Sequence, residues 1–371
     1  MKKIAILTER LKTGFGVDLV VYEQASRLAR RHQVTVFVVE TDNAYLEKAP
    51  FSIYPIRLPL AFNPVKQDLI SLSKLRSSIQ LLKGFDDYIV HTPTFNSWLP
   101  ALSKEGKLII HYYGNSPSYG YEGLKQYRKQ IFDWLENHFY FHSVHKIVTI
   151  SQFLKNQLCP KHQLKTVVNL LGADHVEKIS HSLTETEINQ IKAKYFIEPQ
   201  DLIITYIGRL DYRSNPYKNT RELILLKQRI RPPKNKRIKI LAIGYPQNQI
   251  EEEFFRKGVC VVPSADDKEL VALLNESYLY FSPTKWEGFN LPFIEAQRLG
   301  VPVVGYKVGA HMEVIRDGIT GKLVNSFNKA VETIQFLADH ERERQKMSEA
   351  AVHFAKNFTW ERNVNYLESC L

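Results

Sequence analysis

Eleven short apolar runs, four to seven residues each, alternate along the chain with helical patterns. In the first half they are KIAIL (3–7), VTVFVV (34–39), DYIVH (87–91), KLIIHY (107–112) and KIVTIS (146–151). A second series follows: LIITYIG (202–208), IKILAIG (238–244), VCVVP (259–263), YLYFSP (278–283), VPVVGY (301–306) and GKLV (321–324). Strands separated by helices imply βαβ units and parallel sheets. In such sheets ligands sit at the carboxyl ends of the strands. The chain therefore reads as α/β, with two doubly wound Rossmann-like domains facing a central cleft. The first covers 1–175, a polar crossover linker covers 176–195, and the second domain covers 196–352. A C-terminal helix, 353–371, is expected to pack back on the first domain.

Length and composition agree with that division. At 371 residues, 44% hydrophobic and 24% charged, the chain has material for two cores and is not of disordered composition. No apolar run reaches the roughly 18–20 residues that a membrane span needs. The start, MKKIAILTER, has only a four-residue apolar run and reads as a first buried strand. Cys159, Cys260 and Cys370 are scattered and show no metal spacing, so a reducing cytoplasm is expected. The formal charge of +11 is uneven: residues 1–180 hold 23 basic against 15 acidic side chains, a surplus of 8. A basic half points to phosphate groups, anionic lipid or nucleic acid, or merely to a solvated basic surface.

The stretch KWEGFNLPFIEAQ places Glu287 and Glu295 eight residues apart around a glycine and a proline. Asn290 and Pro292 mark a helix start, since proline is tolerated in a first turn. Glu287 then lies in the loop and Glu295 in the first turns. The N–H groups of Gly288, Phe289, Asn290 and Leu291 would be unpaired there, making an anion site that Gly288 lets a ligand approach. A phosphate so held would have a carboxylate on either side, each able to bind a sugar hydroxyl. Either glutamate alone reads better as an acid placed for the helix dipole.

In GRLDYRSNPYKN, Gly208 closes a strand, Arg209 stands at its carboxyl end and Lys218 follows on the loop. Together they could neutralise a diphosphate leaving group, or they are two surface cations of a basic protein. Gly14 and Gly16, between the first strand and helix, form G-x-G-x-x-L. That pattern lacks the third glycine of a dinucleotide fingerprint and argues little for NAD, although the loop still permits close approach to phosphate or sugar. His91 and His111 each end a strand. A lone histidine there is more often structural, and two on the cleft side strengthen a functional reading. No Asp-x-Asp and no His/Cys cluster occurs, so no metal is expected. There is no G-x-S-x-G elbow and no P-loop. The segment 119–146 mixes basic and aromatic residues on a helical pattern. The favoured reading is a helix covering the first sheet with a wet basic face; docking on a membrane surface or acidic acceptor is the alternative.

In order along the chain, these pieces resemble the family 4 glycosyltransferases, the retaining GT-B enzymes. EGFNLPFIE resembles the family's E-x7-E signature, GRLDYRSNPYKN its Gly-Arg…Lys phosphate motif, and QRLGVPVVGYKVGAHMEVIRDGITGKLV the stretch after the signature. The Gly14–Gly16 loop, HTP, IIHYYG and IVTISQFL match more loosely. The resemblance implies a nucleoside-diphosphate sugar donor, UDP- or GDP-linked, and no cofactor or metal. It implies a glycan or lipid-linked hydroxyl acceptor, retention of configuration, no nucleic-acid partner, and a cytoplasmic place with possible peripheral membrane contact. Arg209 and Lys218 would hold the diphosphate, and Glu295 the ribose. Glu287 and the 288–291 amides would position sugar and phosphate. His111 would touch the donor sugar from the opposite domain, with Gly14–Gly16 near the phosphates and acceptor. Two departures stand out: the insertion YRSNPY suggests that Arg213 could share the role of Lys218, and Asn219 replaces a usual glycine. The competing classes are a non-catalytic polyanion or membrane-surface binder, and a GT-B nucleotide-sugar epimerase or hydrolase.

Overall fold

The computed structural model describes residues 1–60, 64–118, 121–245 and 248–371. It divides into two compact units, one formed by residues 1–171 with 360–371 and the other by residues 172–359.

The first unit is built on seven parallel strands: β1 (Lys3–Leu11), β2 (Gln33–Thr41), β3 (Ser52–Pro55), β4 (Asp87–Val90), β5 (Lys107–Tyr112), β6 (Lys146–Thr149) and β7 (Thr166–Val168). Their order is β3-β2-β1-β4-β5-β6-β7. Successive side chains of β1 go to opposite faces. Ala5 and Leu7 join a cluster with Tyr88, Trp98 and Leu108, while Ile4 and Ile6 join another with Val21, Ala25 and Leu28 of the helix Gly16–Leu28. Burial on both faces is why these strands read as continuous apolar runs. Each fully buried aliphatic side chain contributes about 1.5–3 kcal/mol. The edge strands β3 and β7 escape the sequence pattern: SIYP is mostly exposed, and TVV is three residues long.

The second unit carries six parallel strands: β8 (Asp201–Ile207), β9 (Arg237–Ile243), β10 (Val259–Val262), β11 (Leu279–Ser282), β12 (Val303–Tyr306) and β13 (Gly321–Val324). The order is β10-β9-β8-β11-β12-β13, so chain direction across the sheet reverses between β8 and β11, where Ile204 pairs with Leu279. That reversal is the topological switch point at which open α/β sheets leave a crevice.

Two segments differ from expectation. Residues 176–195 are not a linker but lie within the second unit as helices Asp174–Ser182 and Glu185–Lys194. The sequence there is polar because each helix packs along a narrow side: Val176 is buried next to the Arg298–Glu177 ion pair, and Ile191 packs on a cluster with Ile203 and Leu273. Thr184 and Glu187 form a capping box that starts the second helix. At the other end, the helix Glu341–Ala355 stays with the second unit, and Trp360–Glu368 belongs to the first. Val364, Leu367 and Cys370 enter the cluster around Val21 and Leu28. Asn363 ties the contact, accepting from Gln24 Nε2 at 2.8 Å and donating to the Leu170 carbonyl at 2.9 Å.

The 119–146 segment packs Leu135 on the first unit's core and keeps Lys125 and Arg128 exposed, but it also buries an acid. Tyr119 and Gly120 lie outside the described residues, and the helix Gly123–His138 turns Phe132 and a carboxylate, Glu136, inward. Asn96 Nδ2 donates to Glu136 at 2.9 Å, and Asn115 Nδ2 at 2.5 Å. Burial outweighs these bonds and raises the Glu136 carboxyl from 4.5 to about 7. The folded chain therefore binds a proton that the unfolded chain releases between about 4.5 and 7, so this stabilisation is lost as pH rises through that window. In Glu136→Gln, melting temperature should fall less across the same pH range. An unchanged slope would show that Glu136 does not set it.

Candidate active site

Three loops meet at the switch point of the second unit. Gly208 and Arg209 follow β8, the short helical turn Pro216–Lys218 leads toward the next helix, and residues 283–290 follow β11. Backbone contacts lock them together. The Lys285 amide donates to the Tyr217 carbonyl at 2.7 Å, and Asn219 Nδ2 to the Pro283 carbonyl at 3.2 Å. Thr284 Oγ1 donates to the Tyr217 carbonyl at 3.2 Å, and the Tyr217 and Trp286 rings meet edge-on at 6.0 Å. Asn219 adopts the left-handed conformation, φ 53°. Asparagine tolerates it better than most residues, which explains how this chain manages without the usual glycine.

The lock brings Lys218 Nζ to 2.7 Å from Glu287 Oε2. Both side chains are 17% exposed, so the pair is largely shielded from water. Burial alone would lower the Lys218 ammonium. Glu287, with the Tyr206 and Tyr217 hydroxyls, more than offsets this and holds it above its ordinary value. The Glu287 backbone is fixed as well: its carbonyl accepts from Ala310 at 3.1 Å. Gly309, at φ 55°, passes so close that a Cβ there would stand 2.3 Å from that oxygen.

The helix Leu291–Arg298 begins beside this pair with Pro292 in its first turn. Its N-cap, Asn290, has φ 68° and gives no side-chain cap. Asn290 Nδ2 instead lies 2.9 Å from His311 Nε2, while His311 Nδ1 lies 2.7 Å from the Tyr306 carbonyl. Carbonyl acceptance at Nδ1 places the proton there and leaves Nε2 to accept from Asn290. Burial, partly offset by the Tyr306 carbonyl and Glu287, lowers His311 to about 4, so it is a neutral brace. Among the described residues, the Gly288, Phe289, Asn290 and Leu291 amides donate to no protein acceptor. The helix start is thus held open to an anion. Glu295, 6% exposed, follows on the same helix with Oε1 3.2 Å from His175 Nε2. His175 carries no signal in the sequence because it stands at the edge of the polar stretch read as a linker, and no local spacing links it to Glu295.

Not every expected cation joins the pair. Arg209 is exposed, and its guanidinium donates to Asn215 Oδ1 at 3.2 Å. Arg213 is turned elsewhere, 3.4 Å from Glu253 and 3.3 Å from Gln249, so it does not share the position of Lys218.

In the first unit, Gly14 has φ 82° in the loop after β1, and Gly16 opens the next helix with nothing within 4 Å of where a Cβ would stand. The loop is tethered: Asp18 accepts from Arg10 Nε and the Lys12 amide, each at 2.9 Å. His111 ends β5 and is 6% exposed. Its ring stacks on His91, centroids 4.4 Å apart, and His91 Nδ1 lies 2.7 Å from the Tyr113 hydroxyl. Burial lowers His111 to about 3, so the imidazole is neutral, and neither ring nitrogen has a protein partner.

The chain matches two family models: "Glycosyltransferase Family 4" over residues 16–169 and "Glycosyl transferases group 1" over residues 187–354. An uncharacterized 41.2 kDa protein in the cps region of Klebsiella pneumoniae is 30% identical over 201 residues, 53% of this chain and 51% of that one. D-inositol 3-phosphate glycosyltransferase of Corynebacterium efficiens is 27% identical over 180 residues, 45% of this chain and 42% of that one. The chain thus spans about half the length of the curated relatives it matches. Among solved structures, Anabaena Alr3699/HepE in complex with UDP and glucose superposes with a TM-score of 0.75 at 15% identity, covering 100% of this chain and 99% of that one. The two family models between them take in most of the sequence, and with two parallel α/β units of the GT-B type the chain belongs to the family 4 glycosyltransferases.

Proposed function

We propose that this protein transfers a sugar from a nucleoside-diphosphate sugar, UDP- or GDP-linked, to a hydroxyl of a glycan or lipid-linked acceptor. The transfer retains anomeric configuration, takes place in the cytoplasm and uses no metal. The observation that carries this reading is the shielded Lys218–Glu287 pair, 2.7 Å apart at the switch point, beside a helix start whose amides are open. Lys218 and Arg209 are assigned to the diphosphate, whose charge grows as the bond from the anomeric carbon to oxygen breaks. The amides of 288–291 bind the same anion, Glu295 with His175 holds the ribose, and Glu287 orients the transferred sugar. The acceptor oxygen bonds to the anomeric carbon on the face the leaving group vacates, and its proton passes to the departing phosphate. His111, neutral through burial, is assigned a hydroxyl contact with the sugar, and the Gly14–Gly16 loop a place near phosphate and acceptor. The Anabaena relative, solved with UDP and with UDP-glucose, supports the choice of donor class.

Saturating nucleoside diphosphate should raise the melting temperature by about 5 °C or more, as expected for a ligand near a hundred times its Kd. Incubation with the matching nucleotide sugar should release nucleotide slowly without acceptor. If a panel of uridine and guanosine nucleotides and their sugars gives neither a shift nor release, the proposal fails.

A further inference from the structure

The sheet of the second unit lacks one corner. Among the described residues, β10 pairs with β9 only from Val259 onward, opposite Ile240, so Arg237, Ile238 and Lys239 have no strand on their outer side. The Ile238 carbonyl there accepts from Lys227 Nζ at 2.6 Å in place of a strand amide. The open corner is a cavity of about 740 Å³, within the range of small-molecule sites. β10 is also the sheet edge, and Val262 turns its carbonyl inward to accept from the Gly244 amide. By the alternation of a parallel ladder, Val259 and Val261 turn their backbone groups outward, along the cavity they line. The cavity lies at the amino ends of β9 and β10, whereas the Lys218–Glu287 pair lies past the carboxyl ends of β8 and β11.

Two phenylalanines line this cavity without being buried. Phe255, on the helix Asn248–Arg256, is 78% exposed, and Phe196 is 79% exposed. Phe196 also holds φ 50°, a left-handed backbone that glycine or asparagine adopts with less strain. Lys239 clamps that turn, its Nζ donating to the Tyr195 and Phe196 carbonyls at 2.5 and 2.6 Å. A large apolar ring held in solvent on a strained backbone adds nothing to the core, and strain of this kind gathers where ligands are clamped.

Charge selects the occupant. Of the four cations in the lining, Lys194 is paired with Glu269 and Arg237 with Asp201. Lys227 and Lys239 donate only to carbonyls, which leave their charge unbalanced. Burial lowers the Lys227 ammonium, and Arg237 and Lys239 lower it further, a repulsion that a bound anion relieves. The acids of the lining are Glu251 and Glu252, and Glu252 pairs with Arg256 at 3.3 Å. β10, at four residues, is shorter than the about five or six of an ordinary paired strand, so the edge suits a small molecule better than an added peptide strand. We propose that this corner binds a small amphiphilic anion, its acidic head between Lys227 and Lys239 and its apolar body along β10 between Phe196 and Phe255. This stands independently of the transfer reaction.

The test titrates the full chain with 8-anilinonaphthalene-1-sulfonate, an aromatic anion that fluoresces when shielded from water, and displaces it with decanoate or 1-naphthoate. The dye should fill one site per chain and stay bound under saturating uridine or guanosine diphosphate. Decanol and 1-naphthalenemethanol, which lack the charge, should compete about tenfold more weakly than the acids. Phe255→Ala and Phe196→Gly should each weaken dye binding by about tenfold, the effect of withdrawing one apolar wall. Both side chains are exposed, so melting temperature should not fall, and glycine at 196 relieves the backbone. Lys227→Gln keeps a donor for the Ile238 carbonyl and should erase the preference for acids over alcohols. Absence of saturable binding overturns the proposal, as does binding that the Phe255 and Lys227 variants leave unchanged. Displacement by nucleoside diphosphate also overturns it, by placing the dye in the donor site. So does a concentration-dependent dimer that Phe255→Glu dissociates, which would assign the cavity to a second copy of the chain.

Discussion

Lys218→Ala should lower turnover of the preferred nucleotide sugar by about 10²–10³-fold, the loss typical when one preorganised charge leaves a developing anion. Glu287→Ala should fall comparably, yet the two losses should not add. In the double variant neither charge is stranded, so its turnover should lie close to that of the worse single variant. Stability should follow the same logic. Removing Lys218 strands a carboxylate that is only 17% exposed, for a cost of about 1–3 kcal/mol. The double variant should recover part of that cost. Turnover in the single variants within about threefold of the parent would remove the pair from the reaction and leave it a structural bridge.

Gly309→Ala is the second large effect, and it acts on backbone. At φ 55° any side chain costs about 1–2 kcal/mol. The added methyl would also stand 2.3 Å from the Glu287 carbonyl oxygen and 3.1 Å from its amide nitrogen, atoms that no rotamer change can move aside. The expected loss is about 2–4 kcal/mol, or about 5–15 °C in melting temperature. Because the clash pushes directly on Glu287, donor KM should rise as well. Gly318→Ala is the control: φ is 79° there, and only the flexible end of Lys322 comes within 4 Å. It should show the backbone cost without the kinetic defect. If both variants behave alike, Gly309 does not position Glu287.

The sequence told most where local pattern and tertiary role coincide. Strands buried on both faces announce themselves as apolar runs, so every central strand could be read, while β3 and β7 could not. Glu287, Glu295 and Lys218 were legible because each follows a strand end, where ligands of parallel sheets gather. Contacts of long sequence separation were not legible. His175 meets Glu295 across 120 positions. The insertion after Arg209 allowed Arg213 to share the role of Lys218, and Glu253 and Gln249 of the 248–256 helix are what hold Arg213 elsewhere. The pattern of the 123–138 helix told that Leu135 and Phe132 pack inward with Lys125 and Arg128 outside, but not that Glu136 is buried with them, because periodicity does not say which polar residue shares the inner face.

One feature of the connectivity bears on how the chain is made. Residues 360–371 complete the first unit, yet they are synthesised after the whole of the second. As the ribosome advances, Val21, Ala25 and Leu28 must wait with one side uncovered until Val364 and Leu367 arrive. The second unit, continuous from 172 to 359, has no such dependence. Domains that fold as they emerge normally do so from the amino end. Here the order is reversed for the final step, so the earlier-made unit should gain full protease resistance only once residues 360–371 have emerged from the exit tunnel.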